Sequence, residues 1–407
     1  MTTNRRHHTI ARLIGSGLSA GALVVAGLAV TQPAAEATPS PTSGRHAERV
    51  CSTHTAAHVA RCFASVIVNT ESLVPHTSTP PSDALSADEV RDAYNLDGLS
   101  SGGDTVAIVD AYGYTSLESD LATYRSHYGL PACTTDNGCL TIMDQAGGSD
   151  LPPMDVGWAG EQALDVDAVS AACPDCNIIV VQADSASFAD LGQAVTTASQ
   201  QPGVAAISNS YGGGDVPDST YGSYYDHPGI AVTASTGDDG YQGGSYPASS
   251  SYVTAVGGTS LTQAGNARGW SETAWDGAGS GCSSYNDALA AAASFDTGCP
   301  HRAMADVSAA ADPSNGGLAV YFPTSKTQST WAQVGGTSES APIVAAVYAL
   351  SGNTSGYANA IPYSHPGALF DVTAGSNGSC PTTQWCTARN GWDGPTGLGT
   401  PNGAGAF

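Results

Sequence analysis

Residues 177–208 read NIIVVQADSASFADLGQAVTTASQQPGVAAIS. Two apolar runs, Asn177–Gln182 and Val204–Ser208, bracket a stretch in which Phe188, Leu191 and Val195 recur at helical spacing. A short apolar run, an amphipathic helix and a second short run together read as strand, helix, strand. The alternation continues on both sides. Ser86-Ala87-Asp88-Glu89 is a capping box that opens a helix through Tyr94. Thr105–Asp110 (TVAIVD) reads as a buried strand, and Leu117, Leu121, Tyr124 and Tyr128 form a helical stripe. Ile230–Ala234 and Tyr252–Val256 are further strands. Continuous apolar strands between amphipathic helices predict an α/β fold, a parallel sheet with helices on both faces. No internal repeat is visible, and a single domain over residues 85–407 is expected. In such sheets, sites gather at the carboxyl ends of the strands.

The N-terminus sets the expected compartment. Arg5, Arg6 and Arg12 lead into the apolar run Leu13–Val30, which ends near Ala35-Glu36-Ala37. This predicts a secretory signal peptide over residues 1–37 and a secreted, extracellular product. No later stretch is long and apolar enough to span a membrane. Residues 38–84, rich in Pro, Ser, Thr and His, read as a short propeptide-like or flexible lead.

The 407 residues carry 36 acids against 12 bases, a net charge of −24. Lys326 is the sole lysine. Such acidity argues against nucleic acid or anionic membranes as partners, because little here could displace phosphate counterions. Crowded carboxylates also repel one another at neutral pH and relax when protonated, which points to an acidic workplace. All ten cysteines lie beyond the signal, in sequence-near pairs: Cys51/Cys62, Cys133/Cys139, Cys173/Cys176, Cys282/Cys299 and Cys380/Cys386. An even count in an exported chain reads as disulfides, local pairing being the simplest connectivity and others staying open.

Chemistry concentrates in three places. In Gly335-Gly336-Thr337-Ser338-Glu339-Ser340-Ala341-Pro342, glycines allow a tight turn and Ser338 stands where that turn enters a helix. A nucleophile gains exposure there, with backbone N–H groups nearby for an oxyanion. None of the histidines lies in a Gly-rich, helix-opening context, so an imidazole base is not expected; His227 and His365 read as structural. Carboxylates are the alternative. Glu161 and Asp165 are four apart in a helical stretch and share one face. So close a pair shares a proton, which raises one pKa. Third, Asp238 in Ser235-Thr236-Gly237-Asp238-Asp239-Gly240 follows a strand and can face a cleft.

In this order the three elements resemble the sedolisin family of serine-carboxyl peptidases. Glu161 and Asp165 match its Glu-x-x-x-Asp helix, Asp238 its Ser-x-Gly-Asp-x-Gly turn, and Ser338 its Gly-Thr-Ser-x-Ser-x-Pro motif. The likeness runs from about Ser86 to the C-terminus. It implies a subtilisin-like fold in which Glu161 replaces the catalytic histidine and Asp238 serves as oxyanion donor. It further implies one structural Ca²⁺ held by Asp371, Val372, Arg389, Gly391 and Asp393, although Arg389 stands where the family often has glycine. The implied activity is acid-acting endopeptidase cleavage of proteins or peptides by a monomer. A tripeptidyl exopeptidase and a non-catalytic secreted binding protein on the same scaffold are the alternatives. The family's propeptide is commonly long and folded, whereas the lead here is short; a self-cleavage step is placed near residues 70–85, without a recognisable site.

Overall fold

Among the described residues, strands begin at Arg45. The computed structural model describes residues 44–52, 56–69, 77–353 and 355–407; the expected signal segment lies outside them. Within the expected lead stand β1 (Arg45–Arg49), β2 (Arg61–Cys62) and β3 (Ser65–Asn69). β1 and β3 pair antiparallel, from Arg45 opposite Asn69 to Arg49 opposite Ser65. Order therefore starts well before Ser86. The cause is non-local, since the apolar run Phe63–Val68 is buried and its backbone pairs with strands far along the chain.

The capping box forms as expected at α1 (Ala87–Ala93), where Ser86 and Glu89 satisfy each other's backbone N–H groups. Strands and helices then alternate: β4 (Thr105–Ala111), α2 (Leu117–His127), β5 (Leu140–Asp144), α3 (Val156–Ala172), β6 (Asn177–Ala183), α4 (Phe188–Ser199) and β7 (Val204–Asn209). After them come β8 (Tyr211–Gly214), the one-turn α5 (Asp218–Tyr221), β9 (Ala231–Ser235), β10 (Ser245–Tyr246), β11 (Thr254–Gln263) and β12 (Trp270–Ala274). The ribbon β13 (Gly281–Cys282) and β14 (Ala303–Met304) precedes β15 (Val307–Ala310), β16 (Leu318–Ser325), β17 (Gln328–Gly335) and α6 (Thr337–Ser351).

The main sheet has the order β12-β11-β9-β7-β4-β6-β5, with β15 also paired to β11. From β11 through to β5 every neighbouring pair is parallel. Because side chains alternate along a strand, each central strand feeds two cores. Val106, Ile108, Ile178 and Val180 join a cluster with α1, α2, α3 and α6. Ala107, Val109, Ile179 and Val181 join the other, with Phe188, Leu191 and Val195 of α4. Each fully buried Val or Ile contributes about 1.5–3 kcal/mol relative to exposure. A second sheet, β1-β3-β17-β16, is antiparallel throughout. The five cysteine pairs form the local disulfides expected. Cys173–Cys176 closes the C-terminal end of α3 as a structural bridge.

Candidate active site

Helix α3 begins at Asp155, whose carboxylate accepts the Trp158 N–H at 3.0 Å. From Trp158 onward the helix is buried on every side, so its acids have no route to solvent. Glu161 and Asp165 are both wholly buried. Burial first, and then the charge of Asp165, push the Glu161 carboxyl well above the usual range, while hydrogen bonds from Ser338 and the Ala64 N–H oppose this. Ala64 N–H donates to Glu161 Oε2 at 2.9 Å, and Oε1 has no partner. Asp165 Oδ1 accepts from the Ser210 hydroxyl at 2.8 Å. Its carboxyl is also pushed up, by burial and then by the charge of Asp110.

Asp110 escaped the sequence reading. It ends the apolar run of β4, is wholly buried, and has no hydrogen-bond partner at either oxygen. Burial and the charge of Glu161 raise its carboxyl strongly. The available signal was an acid closing a buried strand at its carboxyl end, the edge where sites gather.

Ser338 is the second residue of α6, after Gly336 at φ +115°. Its hydroxyl donates to the Ser210 carbonyl at 3.2 Å. Pro342 lies one turn on and has no N–H for the Ser338 carbonyl. That carbonyl accepts from the Ser210 hydroxyl at 3.3 Å instead, so Ser210 ties the Ser338 backbone to the acid pair.

Asp238 sits in the turn after β9. The turn is stitched to the start of α6: Ser235 Oγ donates to the Thr337 carbonyl, and the Gly237 N–H to Thr337 Oγ1. Burial dominates the Asp238 carboxyl and pushes it up to about 7, although hydrogen bonds from Thr337 oppose the rise. Its Oδ2 has no hydrogen-bond partner. A methyl placed on Gly336 would fall 2.6 Å from that oxygen. Thus Glu161, Asp165, Asp238 and Ser338 come together, joined by Asp110 and Ser210. Among the described residues no imidazole is a polar contact of Ser338; His227 and His365 bond local carbonyls of Tyr224 and Ile361. A cleft opens beside the site, lined by Gly212, Gly213, Gly214, Thr236, Gly237 and Ser280 among others.

The five expected calcium ligands lie apart, in the C-terminal loops. Asp371 follows β18 (Leu369–Phe370), which pairs with β19 (Thr400–Pro401). Gly391 N–H donates to Asp371 Oδ2 and Arg389 N–H to Asp393 Oδ2, both at 3.0 Å. Asp393 is buried and pushed up to about 7, mainly by burial, with the charge of Asp371 adding to the rise. Val372 is buried, and the Arg389 guanidinium is engaged by Gln384. Among the described residues no cluster of three or more His, Cys, Asp or Glu side chains suits a metal. Asp371, Asp393 and the loop carbonyls are oxygen donors of the kind a hard cation takes, although both Asp393 oxygens already accept from Arg389 and Thr396.

Residues 156–363 match the model of the subtilase family. Over 356 residues the chain is 31% identical to kumamolisin of Bacillus sp. strain MN-32, covering 77% of this chain and 61% of that protein. A stretch of 77 residues is 43% identical to tripeptidyl-peptidase sed1 of Aspergillus fumigatus, 17% of this chain and 12% of that one. The chain thus spans about three fifths of the first relative's length and far less of the second's. Among solved structures, Pseudomonas sedolisin, a serine-carboxyl proteinase complexed with two molecules of pseudo-iodotyrostatin, superposes with a TM-score of 0.65 at 24% identity. That match covers 79% of this chain and 96% of the sedolisin chain. The chain belongs to the subtilase family.

Proposed function

We propose that the protein is a secreted, acid-acting serine-carboxyl endopeptidase. The observation that carries this reading is the wholly buried Glu161, its Oε1 without a partner among the described residues, set beside Ser338 where no described histidine supplies a base. Ser338 attacks the peptide carbonyl, and Glu161 takes its proton and later passes it to the leaving amine. Asp165, held by Ser210, orients Glu161 and shares its charge. Asp238, when protonated, donates from Oδ2 to the developing oxyanion. Asp110 adds a third acid to the same proton-sharing group. These roles need protonated carboxyls, which favours acid pH.

The substrates are unfolded proteins or peptides laid along the cleft. Calcium is held by the carboxylates of Asp371 and Asp393 with the carbonyls of Val372, Arg389 and Gly391, and braces the C-terminal loops. No helix among the described residues is long and apolar enough to cross a membrane. Residues 1–37 direct export, the strands at 45–69 pack into the peptidase body with residues 85–407, and the protein acts as a monomer. The test is a pH–rate profile on denatured protein, run beside Ser338→Ala. Acid-limited hydrolysis that vanishes in the variant supports the reading, and activity peaking near or above neutrality defeats it. Products that are uniformly tripeptides from an N-terminus indicate the exopeptidase mode, for which the local similarity to a tripeptidyl-peptidase is the reason.

A further inference from the structure

Residues 61–66 run through the candidate active site as an extended chain. On one side β2 pairs antiparallel with β8, Arg61 opposite Gly212 and Cys62 opposite Tyr211. The next step of that register sets Phe63 opposite Ser210, whose carbonyl holds the Ser338 hydroxyl. On the other side β3 pairs antiparallel with β17, Ser65 opposite Gly335 and Val66 opposite Val334. Between the two ladders lies the peptide bond from Phe63 to Ala64.

Both ends of that bond meet chemistry. The Ala64 N–H donates to Glu161 Oε2 at 2.9 Å, where a base must stand to protonate a leaving nitrogen. The Phe63 carbonyl oxygen and Asp238 Oδ2 converge on bare Gly336, where a methyl would lie 2.0 Å from the first and 2.6 Å from the second. The Phe63 ring is buried over two glycines, since a methyl on Gly212 would lie 2.7 Å from it and one on Gly237 3.5 Å. Asp239 pairs with Arg61 and Arg49, and Cys51–Cys62 pins the strand's start.

We propose that the Phe63–Ala64 bond is the protein's own first substrate, cut in cis by Ser338, and that it displays the preferred sequence, an aromatic residue on the acyl side with arginine two places earlier. The proposal rests on the peptidase reading above and moves the self-cleavage expected at residues 70–85 to Phe63–Ala64. Ser338 Oγ adds to the Phe63 carbonyl carbon as its proton passes to Glu161. The C–N bond then breaks as Glu161 returns the proton to the Ala64 nitrogen, leaving Phe63 as an ester on Ser338. Water hydrolyses that ester, giving the Phe63 carboxyl and free Ser338. Cys51 and Cys62 both lie on the acyl side, so their disulfide does not tether the released lead to the body.

The full chain, folded with its disulfides, is moved from neutral to acid pH and followed by intact mass and N-terminal sequencing. Wild type should yield a body beginning at Ala64, with a half-time independent of protein concentration, and Ser338→Ala should stay joined there. Phe63→Asp should slow the cut by roughly 10–100-fold, as expected for loss of a fitted side chain, while denatured protein added in trans is still hydrolysed by whatever body forms. A synthetic peptide spanning residues 59–67 should be cut after Phe63. Wild type that digests denatured protein but keeps Phe63–Ala64 intact, or cuts itself elsewhere, overturns this proposal and leaves the peptidase reading standing. Wild type inert towards itself, the peptide and denatured protein at every pH overturns both.

Discussion

Thr337 donates its N–H and its hydroxyl to one oxygen of Asp238, at 2.8 and 2.9 Å, and leaves the other oxygen without a partner. The acceptor half of the carboxyl is thus committed, and only the free half can donate to substrate, when protonated. With the carboxyl pushed up to about 7, that donor is present in acid and lost as pH rises through neutrality. Asp238→Asn should keep both halves, Oδ1 accepting from Thr337 and the amide donating at every pH. Its alkaline limb in kcat/KM should therefore move up, whereas Asp238→Ala should lose about 10²–10³ in kcat. An alkaline limb unmoved by asparagine would assign it to another group.

The same raised carboxyl sets a stability trend. A folded-state pKa of about 7, against about 3.9 unfolded, means the stabilising contribution is complete below about pH 4 and fades as pH rises through 7. Thermal melts of Asp238→Asn and the parent should diverge in the variant's favour as pH rises from about 4 to 7. Parallel melting curves across that range would show that the site relaxes around the charge.

Glu161→Gln separates activity from folding. Glutamine cannot shuttle the proton, so turnover should fall by about 10²–10⁴. It also cannot ionise in a wholly buried place, so the variant should melt no lower than the parent at pH 7. Combining it with Ser338→Ala should add little further loss, because the two residues serve one step. Additive losses in the double variant would mean that they act separately.

Asp110→Asn should shift the profile rather than abolish it. Asp165 would lose the like charge that, after burial, raises it most, so the acid limb should move to lower pH. Titration of kcat between pH 2 and 6 reads this directly, and an unchanged limb excludes Asp110 from the proton-sharing group.

Chelation should lower Tm near neutral pH before it changes kcat. Free calcium at 100-fold above its Kd would stabilise the fold by about 2.7 kcal/mol. Asp393→Ala should melt lower and no longer respond to the ion. Identical melts with and without chelator leave Asp371 and Asp393 as an ordinary loop pair.

That the candidate acids come together was readable because their spacing is local. Glu161 and Asp165 fall on one helix face whatever the rest of the chain does, and the turns around Asp238 and Ser338 announce themselves by glycine. Asp110 was not, because one acid after four apolar residues carries no periodicity, and its neighbours Glu161 and Asp165 are supplied by another element. The lead was misjudged for a related reason. β2 is two residues long, and its meaning lies entirely in Gly212 and Tyr211, some 150 positions later. The run Phe63–Val68 was visible as apolar, but nothing local names β17 as its partner.

The division of the central strands between two cores has a consequence for how this protein tolerates change. Even-numbered positions such as Val106, Ile108, Ile178 and Val180 press on the layer containing α3 and α6, which carry Glu161 and Ser338. Their odd-numbered neighbours Ala107, Val109, Ile179 and Val181 press on α4, which carries none of the four site residues. A volume change at an even position is transmitted to the helices that carry Glu161 and Ser338, while the same change one residue along spends itself in scaffold. In a random library drawn from these strands, inactive but folded clones should carry even-numbered lesions, and thermolabile but active clones odd-numbered ones.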